Sequence, residues 1–332
     1  MRRSFLNSWV VLVLALALAL AVVGCGGESS SGEGSAAEAT TDMSADQIVK
    51  ESEAKMAAVQ SGSFTADFSL QVQGDESKMT DPTAKAMLTD GMTLHAEGKS
   101  ANDPTAVDMS MSVGLAGQNL EFGMMSQGDK SWIEYDGAWY ALDSDNAKSL
   151  DDQAEMGAAP TEQLKSFGLD PAEWGTTYEL VGTEDLGGVQ VYRITAVADP
   201  QKLADALMKA AEDPGLADKL GGADSELGQI TQDLEQSKEA AAELGKSLKE
   251  TSVDYWIGVD DMLMYKAEFS AALDTAGQKD MEGVEGMSMK GTVTMADFDE
   301  PVTVTPPAKA QSFDKLMEQM FGGMMGGSDM SF

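Results

Sequence analysis

Apolar and polar residues alternate with a period of two through segment after segment of this 332-residue chain, and that pattern dictates sheet. Phe64, Ala66, Phe68, Leu70 and Val72 interleave with Thr65, Asp67, Ser69, Gln71 and Gln73. Met92, Leu94 and Ala96 alternate with Thr93, His95 and Glu97, and Val107, Met109, Met111 and Val113 with Asp108, Ser110 and Ser112. Leu120, Phe122 and Met124 continue the series, followed by 131–135 and 139–142 around the turn Asp136-Gly137. Successive side chains on a strand point to opposite faces, so each run has one apolar face and one wet face. Runs of this kind in close succession are antiparallel strands buried on one side. An Asp-Gly step between two of them is a strong hairpin signal, because a tight turn needs positive φ at both positions.

Two more strands, at about 177–183 and 189–197, join through Asp185-Leu186-Gly187-Gly188. Strands return at 253–259, 263–271 and 287–298, the first two turned by Asp260-Asp261. Helices are fewer. Ser44-x-x-Gln47 forms a capping box, after which Ile48, Ser52, Met56 and Val59 share one helical face up to Ser61-Gly62. Pro160 opens a turn ending at Gly168, and Asp170-Pro171-Ala172-Glu173 offers a second capped start with proline at the first helical position. Asp199-Pro200 begins a helix running to about Glu212, before Pro214. Across 224–249, Leu227, Ile230, Leu234, Ala241, Leu244 and Leu248 step at helical spacing, as expected of one helix lying on a sheet. The sum is about ten strands in one meander with helices inserted late: an α+β domain spanning 44–307, closed by Pro301, Pro306 and Pro307. Residues 308–332 are left as a Met-rich tail.

The start of the chain reads differently. Arg2 and Arg3 precede an uncharged run from Val10 to Val23, which ends in Val22-Val23-Gly24-Cys25. The run is shorter than the roughly 20 residues that span a bilayer. Small residues before the chain's one cysteine make it a lipoprotein-type signal peptide, 1–24, cleaved ahead of an acylated Cys25. Gly26 to Asp42 holds no large apolar side chain, so 25–43 is read as anchor and flexible tether. The expected location is the extracytoplasmic face of the cell membrane, held by acyl chains.

Composition then excludes several function classes. The formal net charge is −34, and losing Arg2 and Arg3 makes the remainder more acidic still. Phosphate backbones and anionic headgroups would be repelled, so no nucleic-acid partner is expected and membrane attachment rests on the anchor. With Cys25 acylated, no thiol remains for a disulfide, a metal or nucleophilic attack. His95, the single histidine, falls on the polar face of its strand, where a solvent-exposed side chain is the expectation. Acidic pairs such as Asp151-Asp152 and Asp260-Asp261 arise by chance among 56 acids. Asp143-x-Asp145 starts like a calcium loop, but Ala147 and Lys148 stand where a ligand and the turn glycine belong. No cofactor, metal or catalytic step is expected. In the tail, Met317, Met320, Met324 and Met325 with Phe313 and Phe321 could offer thioethers to Cu(I), but a short amphipathic helix ending at Gly322-Gly323 accounts for the spacing.

The 23 methionines matter more. Met109, Met111, Met124, Met264, Met287, Met289 and Met295 all take inward strand positions. Methionine fills irregular apolar space and adapts to varied ligands, so these are either ordinary core or the soft wall of a cavity. Trp139, Tyr140, Tyr255 and Trp256 are adjacent aromatics that must face both sides of the sheet.

Four stretches stand out in order: Trp132-Ile133-Glu134-Tyr135 with Gly137-Ala138-Trp139-Tyr140; Val191-Tyr192-Arg193-Ile194 leading to Asp199-Pro200; Val253-Asp254-Tyr255-Trp256-Ile257; and Ala296-Asp297-Phe298-Asp299-Glu300-Pro301-Val302. With the Cys25 signal, their order resembles the actinobacterial LppX/LprG lipoprotein family, which is similar in fold to the lipoprotein carrier LolA. The resemblance implies a curved antiparallel half-barrel with helices packed on its concave face. It also implies an apolar cavity between sheet and helices, taking the acyl chains of a lipid or lipoglycan that the protein carries across the envelope. Phe64, Phe68, Leu70, Met109, Met111, Phe122, Met124, Met264, Met287 and Met289 are the candidate lining. The alternative is a structural or interaction lipoprotein with a filled core, whose partners are other envelope proteins.

Overall fold

Period-two alternation is realised as one sheet, antiparallel except for a two-residue strand at one edge. The computed structural model describes residues 43–79, 82–102, 104–115, 117–128, 130–142, 171–211, 247–275 and 283–318. The expected signal peptide, Cys25, nearly all of the expected tether, the turn expected at Pro160–Gly168, most of the helix expected over 224–249 and the tail beyond 318 lie outside them. Among the described residues the sheet has twelve strands. The first six are β1 (Ser61–Gly74), β2 (Met92–Asn102), β3 (Thr105–Leu115), β4 (Gln118–Gln127), β5 (Lys130–Tyr135) and β6 (Ala138–Ala141). After them come β7 (Thr177–Leu186), β8 (Val189–Val197), β9 (Leu248–Gly258), β10 (Met264–Asp274), β11 (Val284–Ala296) and β12 (Gln311–Ser312).

Spatial order is β12-β6-β5-β4-β3-β2-β1-β11-β10-β9-β8-β7. Two meanders therefore meet in the middle, where β1 pairs with β11 from Ser63↔Ala296 to Val72↔Met287. The joint is stitched at one end by the turn after β11. Gln60 N–H donates to Asp299 Oδ1 at 2.7 Å, Ser63 Oγ to Asp297 Oδ2 at 2.6 Å, and Asp299 N–H to the Ser61 carbonyl at 2.8 Å. Asp297 and Asp299 sit at φ 52° and 58°, a region that aspartate tolerates better than bulky residues. At the Asp136-Gly137 turn φ is 50° and 71°, as a two-residue hairpin between β5 and β6 requires.

The strand count exceeds the expected ten partly because of β12, which lies beyond Pro307 and pairs in parallel with β6. Helix α1 (Ala45–Met56) has the reciprocal capping box: Ser44 N–H donates to Gln47 Oε1 and Gln47 N–H to Ser44 Oγ. It stops at Met56, four residues before β1, so Val59 is not on its face and Ser61-Gly62 are already strand. Helix α2 (Pro82–Thr89) was not legible from the spacing. Helix α3 (Pro200–Ala211) starts where Asp199 Oδ1 accepts from the N–H groups of Gln201 and Lys202. The second expected capped helix is only a 3₁₀ turn at Pro171–Trp174. Leu248 and Lys249, expected at the end of a helix, begin β9 instead. Leu248 fits both periods, and pairing with Leu273 on β10 decides the outcome.

The main core fills one face. Helix α1 packs against β7 and β9, α3 against β9 and the 3₁₀ turn, and α2 against β1. Ile48, Leu203, Ile194, Tyr255, Ile257 and Trp174 are at most 1% exposed there. Each fully buried aliphatic side chain of this kind contributes about 1.5–3 kcal/mol. A smaller core on the opposite face joins Ala106, Met125 and Trp132 to Val304 of the segment after β11.

Candidate functional site

Register carries the apolar face across the whole sheet. One lateral row runs from Tyr135 through Phe122, Met111, Ala96, Ala66, Val293, Ala267, Tyr255 and Ile194 to Leu180. A second runs from Leu120 through Val113, Leu94, Phe68, Gly291, Phe269 and Val253 to Ala196. The face is continuous, but its cover is not. Across β1, β11, β10, β9 and β8 it is largely buried beneath the helices. Over β2–β4 the same face holds Met92, Leu94, Met109, Met111, Val113, Phe122 and Met124 half-buried. Leu115 and Leu120 there are 36% and 45% exposed.

All ten candidate residues lie on this face by register. They fall into two environments. Phe68, Leu70, Met287 and Met289 are buried members of the helix-covered core, with half-buried Phe64 and Met264 packed against it. Met264 also donates its N–H to the Met56 sulfur of α1 at 3.3 Å. Met109, Phe122 and Met124 form the half-open part, and half-buried Met111 stands at the boundary, packed against the edge of the core. Sequence reasoning omitted Leu94, Val113, Leu115 and Leu120 from the candidates, although the same alternation places them there.

Glycines shape both parts. Phe68, Gly291 and Phe269 are cross-strand neighbours, and a Cβ on Gly291 would stand 2.0 Å from Phe269 Cε1 and 2.5 Å from Phe68 Cδ1. The two rings close over the bare glycine with centroids 5.6 Å apart, so this position is filled. At Gly98, between Phe64 and Met109, a Cβ would approach the Asp108 carbonyl oxygen to 2.8 Å. There the backbones of β2 and β3 come too close for a side chain.

The opposite face is polar. His95 Nδ1 lies 2.7 Å from Asp67 Oδ1, both exposed to solvent, as alternation places them. Ser112 pairs with His95 across β2 and β3, giving an Asp67–His95–Ser112 line. Ser112, however, donates to Asn119 Oδ1 at 2.8 Å, so its proton is directed away from the imidazole. Further along, Arg193 donates to Asp254 Oδ2 at 2.8 Å, and this hydrogen bond to the carboxylate holds the guanidinium above its ordinary pKa despite desolvation. Trp256 lies between Arg193 and Lys266, 5.3 and 4.4 Å from its ring centre, and its indole N–H donates to Glu184. Two of the sequence stretches that carry the family resemblance thus meet in a structural cluster on β8 and β9. The adjacent aromatics do face both ways: Tyr140 and Tyr255 inward, Trp139 and Trp256 outward. Among the described residues no group of three His, Cys, Asp or Glu is arranged to hold a metal, and no helix is long and apolar enough to cross a membrane.

No family model matches the sequence, and no curated protein sequence does. Similar solved structures include the Mycobacterium tuberculosis lipoprotein LppX, at 16% identity over 78% of this chain and 96% of that one, with a TM-score of 0.35. LprF from Mycobacterium bovis follows at 12% identity, 80% and 97% coverage and a TM-score of 0.34. A putative outer membrane lipoprotein-sorting protein domain from Vibrio parahaemolyticus matches at 11% identity, 77% and 92% coverage and a TM-score of 0.20. The family named from the sequence is thus met again among the structural neighbours. At these identities and scores, no residue role passes from them to this chain.

Proposed function

We propose that this protein is an envelope lipoprotein, anchored through Cys25, which holds the acyl chains of a lipid or lipoglycan on the apolar face of β2–β4. The observation that carries the reading is the uneven cover of one continuous face: packed and helix-covered across β1, β11, β10, β9 and β8, half-open over β2, β3 and β4. Leu115, Leu120, Met111 and Phe122 leave there a contiguous apolar surface of the kind that marks binding sites. Methionines at Met109, Met111 and Met124 suit chains of varied length, since thioether side chains repack at low cost. Each methylene hidden there would contribute about 0.8 kcal/mol. In this reading the sheet is the half-barrel of a carrier that moves lipid across the envelope without chemistry, on the outer side of the cell membrane.

A ligand-free interaction lipoprotein is the second reading. The ring-filled slot at Gly291 favours it, because that part of the face has no room to give. Native mass spectrometry and solvent extraction of a Cys25→Ser protein, which has no acyl chains of its own, separate the two. Bound lipid lost on Met111→Glu or Phe122→Glu supports the carrier. Lipid-free protein from every lipid-rich source tested, together with capture of a defined envelope protein, supports the second.

A further inference from the structure

We infer that a groove on the polar face of β2–β5, behind the apolar one, binds a neutral saccharide. The hollow measures about 470 Å³; its polar border is His95, Ser110, Ser112, Asn119, Glu121 and Glu134 with the Asp136-Gly137 turn, and Met111, Leu120, Phe122 and Tyr135, which alternate with them along the strands, border it as well. That volume falls in the usual range for small-molecule sites, about 300–1,000 Å³. Cross-strand register puts the six polar side chains on one face: His95 opposite Ser112, Ser112 opposite Glu121, and Ser110 opposite Gly123, which is opposite Glu134. Gly123 is buried beneath the Glu134 side chain that borders the groove. In place of a side chain, Glu134 and Trp139 lean over it, so that a Cβ would meet Glu134 Cβ at 2.8 Å and Trp139 Cη2 at 3.4 Å.

The lining selects the ligand by its chemistry. No lysine or arginine borders the groove, so a phosphate or carboxylate would find no counter-charge. Glu121 and Glu134 accept hydrogen bonds and cannot donate while ionised. Asn119 has its oxygen engaged by Ser112, which leaves its NH₂ to donate. Asp67 occupies His95 Nδ1 as an acceptor, so in the neutral ring Nε2 is an acceptor too. A ligand with many hydroxyls, each able to donate and accept, matches this mixture. By register the polar groups lie on the face opposite the apolar side chains, so sugar binding and lipid binding fail separately in the tests, even though Met111, Leu120 and Phe122 border both regions.

The test uses the full lipoprotein in a sugar-free detergent. Saturation-transfer NMR and calorimetry would be run with maltotriose, mannotriose and chitotriose, with spermidine as a cationic comparison. At least one trisaccharide should bind. Glu134→Gln and Asn119→Ala should each weaken it about tenfold, the cost of one hydrogen bond to a charged or desolvated partner. Both sites are surface positions, and unchanged circular dichroism would show that the variants fold. Absence of binding by all three sugars overturns the inference. So does binding unaffected by either variant, or binding of spermidine alone.

Discussion

A methyl group at Gly291 would overlap two phenylalanine rings, and the chain has no slack there to absorb it. Gly291→Ala should cost about 1–3 kcal/mol, the usual penalty for overpacking a filled core. It should appear as a lowered thermal midpoint, and Phe269→Leu in the same chain should recover part of it. A variant as stable as the parent would show that the two rings are not seated over β11. Tyr265 makes a pH prediction. Burial, the hydrogen bond to Asp261 Oδ2 at 2.6 Å and the charge of that carboxylate push its phenol up to about 12. The folded value lies above the unfolded one, so the stability it contributes is complete below pH 10 and is lost as pH rises through about 12. Ultraviolet titration should show a late-ionising tyrosine that disappears in Tyr265→Phe. If the late step persists in that variant, the assignment fails.

Elements were legible where one period dominated and local chemistry agreed with it. The strands from β1 to β6 follow directly from alternation, and the positive φ at Asp136 and Gly137 is what Asp-Gly supplies. Helix α1 follows from Ser44 and Gln47. Removing that cap with Ser44→Ala should cost about 1 kcal/mol. The loss should show as faster amide exchange in the first turn of α1, and uniform protection across the helix would contradict it. Legibility ended where two patterns competed or where partners were remote. Leu248 satisfied a helical stripe and a strand alike, and β10 settled it. Pro171 promised a helix, but after four residues the chain turns into β7. Strand β12 is two residues long and exists by pairing with β6, far away in sequence.

At the scale of the molecule, alternation reveals which side chains share a face but not what covers them. The ten candidate residues were identifiable as one face because register preserves the period from strand to strand. Their division into a packed half and an open half was not, since it depends on where α1 and α3 come to rest. The docking of both on the β7–β9 side leaves Met109, Met111, Phe122 and Met124 less covered than Leu70 or Met289. The polar face has its own division, with the Arg193–Asp254–Trp256 cluster bracing β8 and β9 while the groove lies over β2–β5. Arg193→Met should therefore lower stability and leave lipid content unchanged. Loss of lipid without loss of stability in this variant would place the ligand on the wrong half of the sheet.

The most direct measurement is the lipid content of the Cys25→Ser protein by native mass spectrometry, compared with Met111→Glu and Met289→Glu. The account predicts a bound lipid in the parent, its loss from Met111→Glu with the fold intact, and loss of the fold itself in Met289→Glu. Bound lipid that survives Met111→Glu, or a parent that emerges empty from lipid-rich membranes, would contradict it.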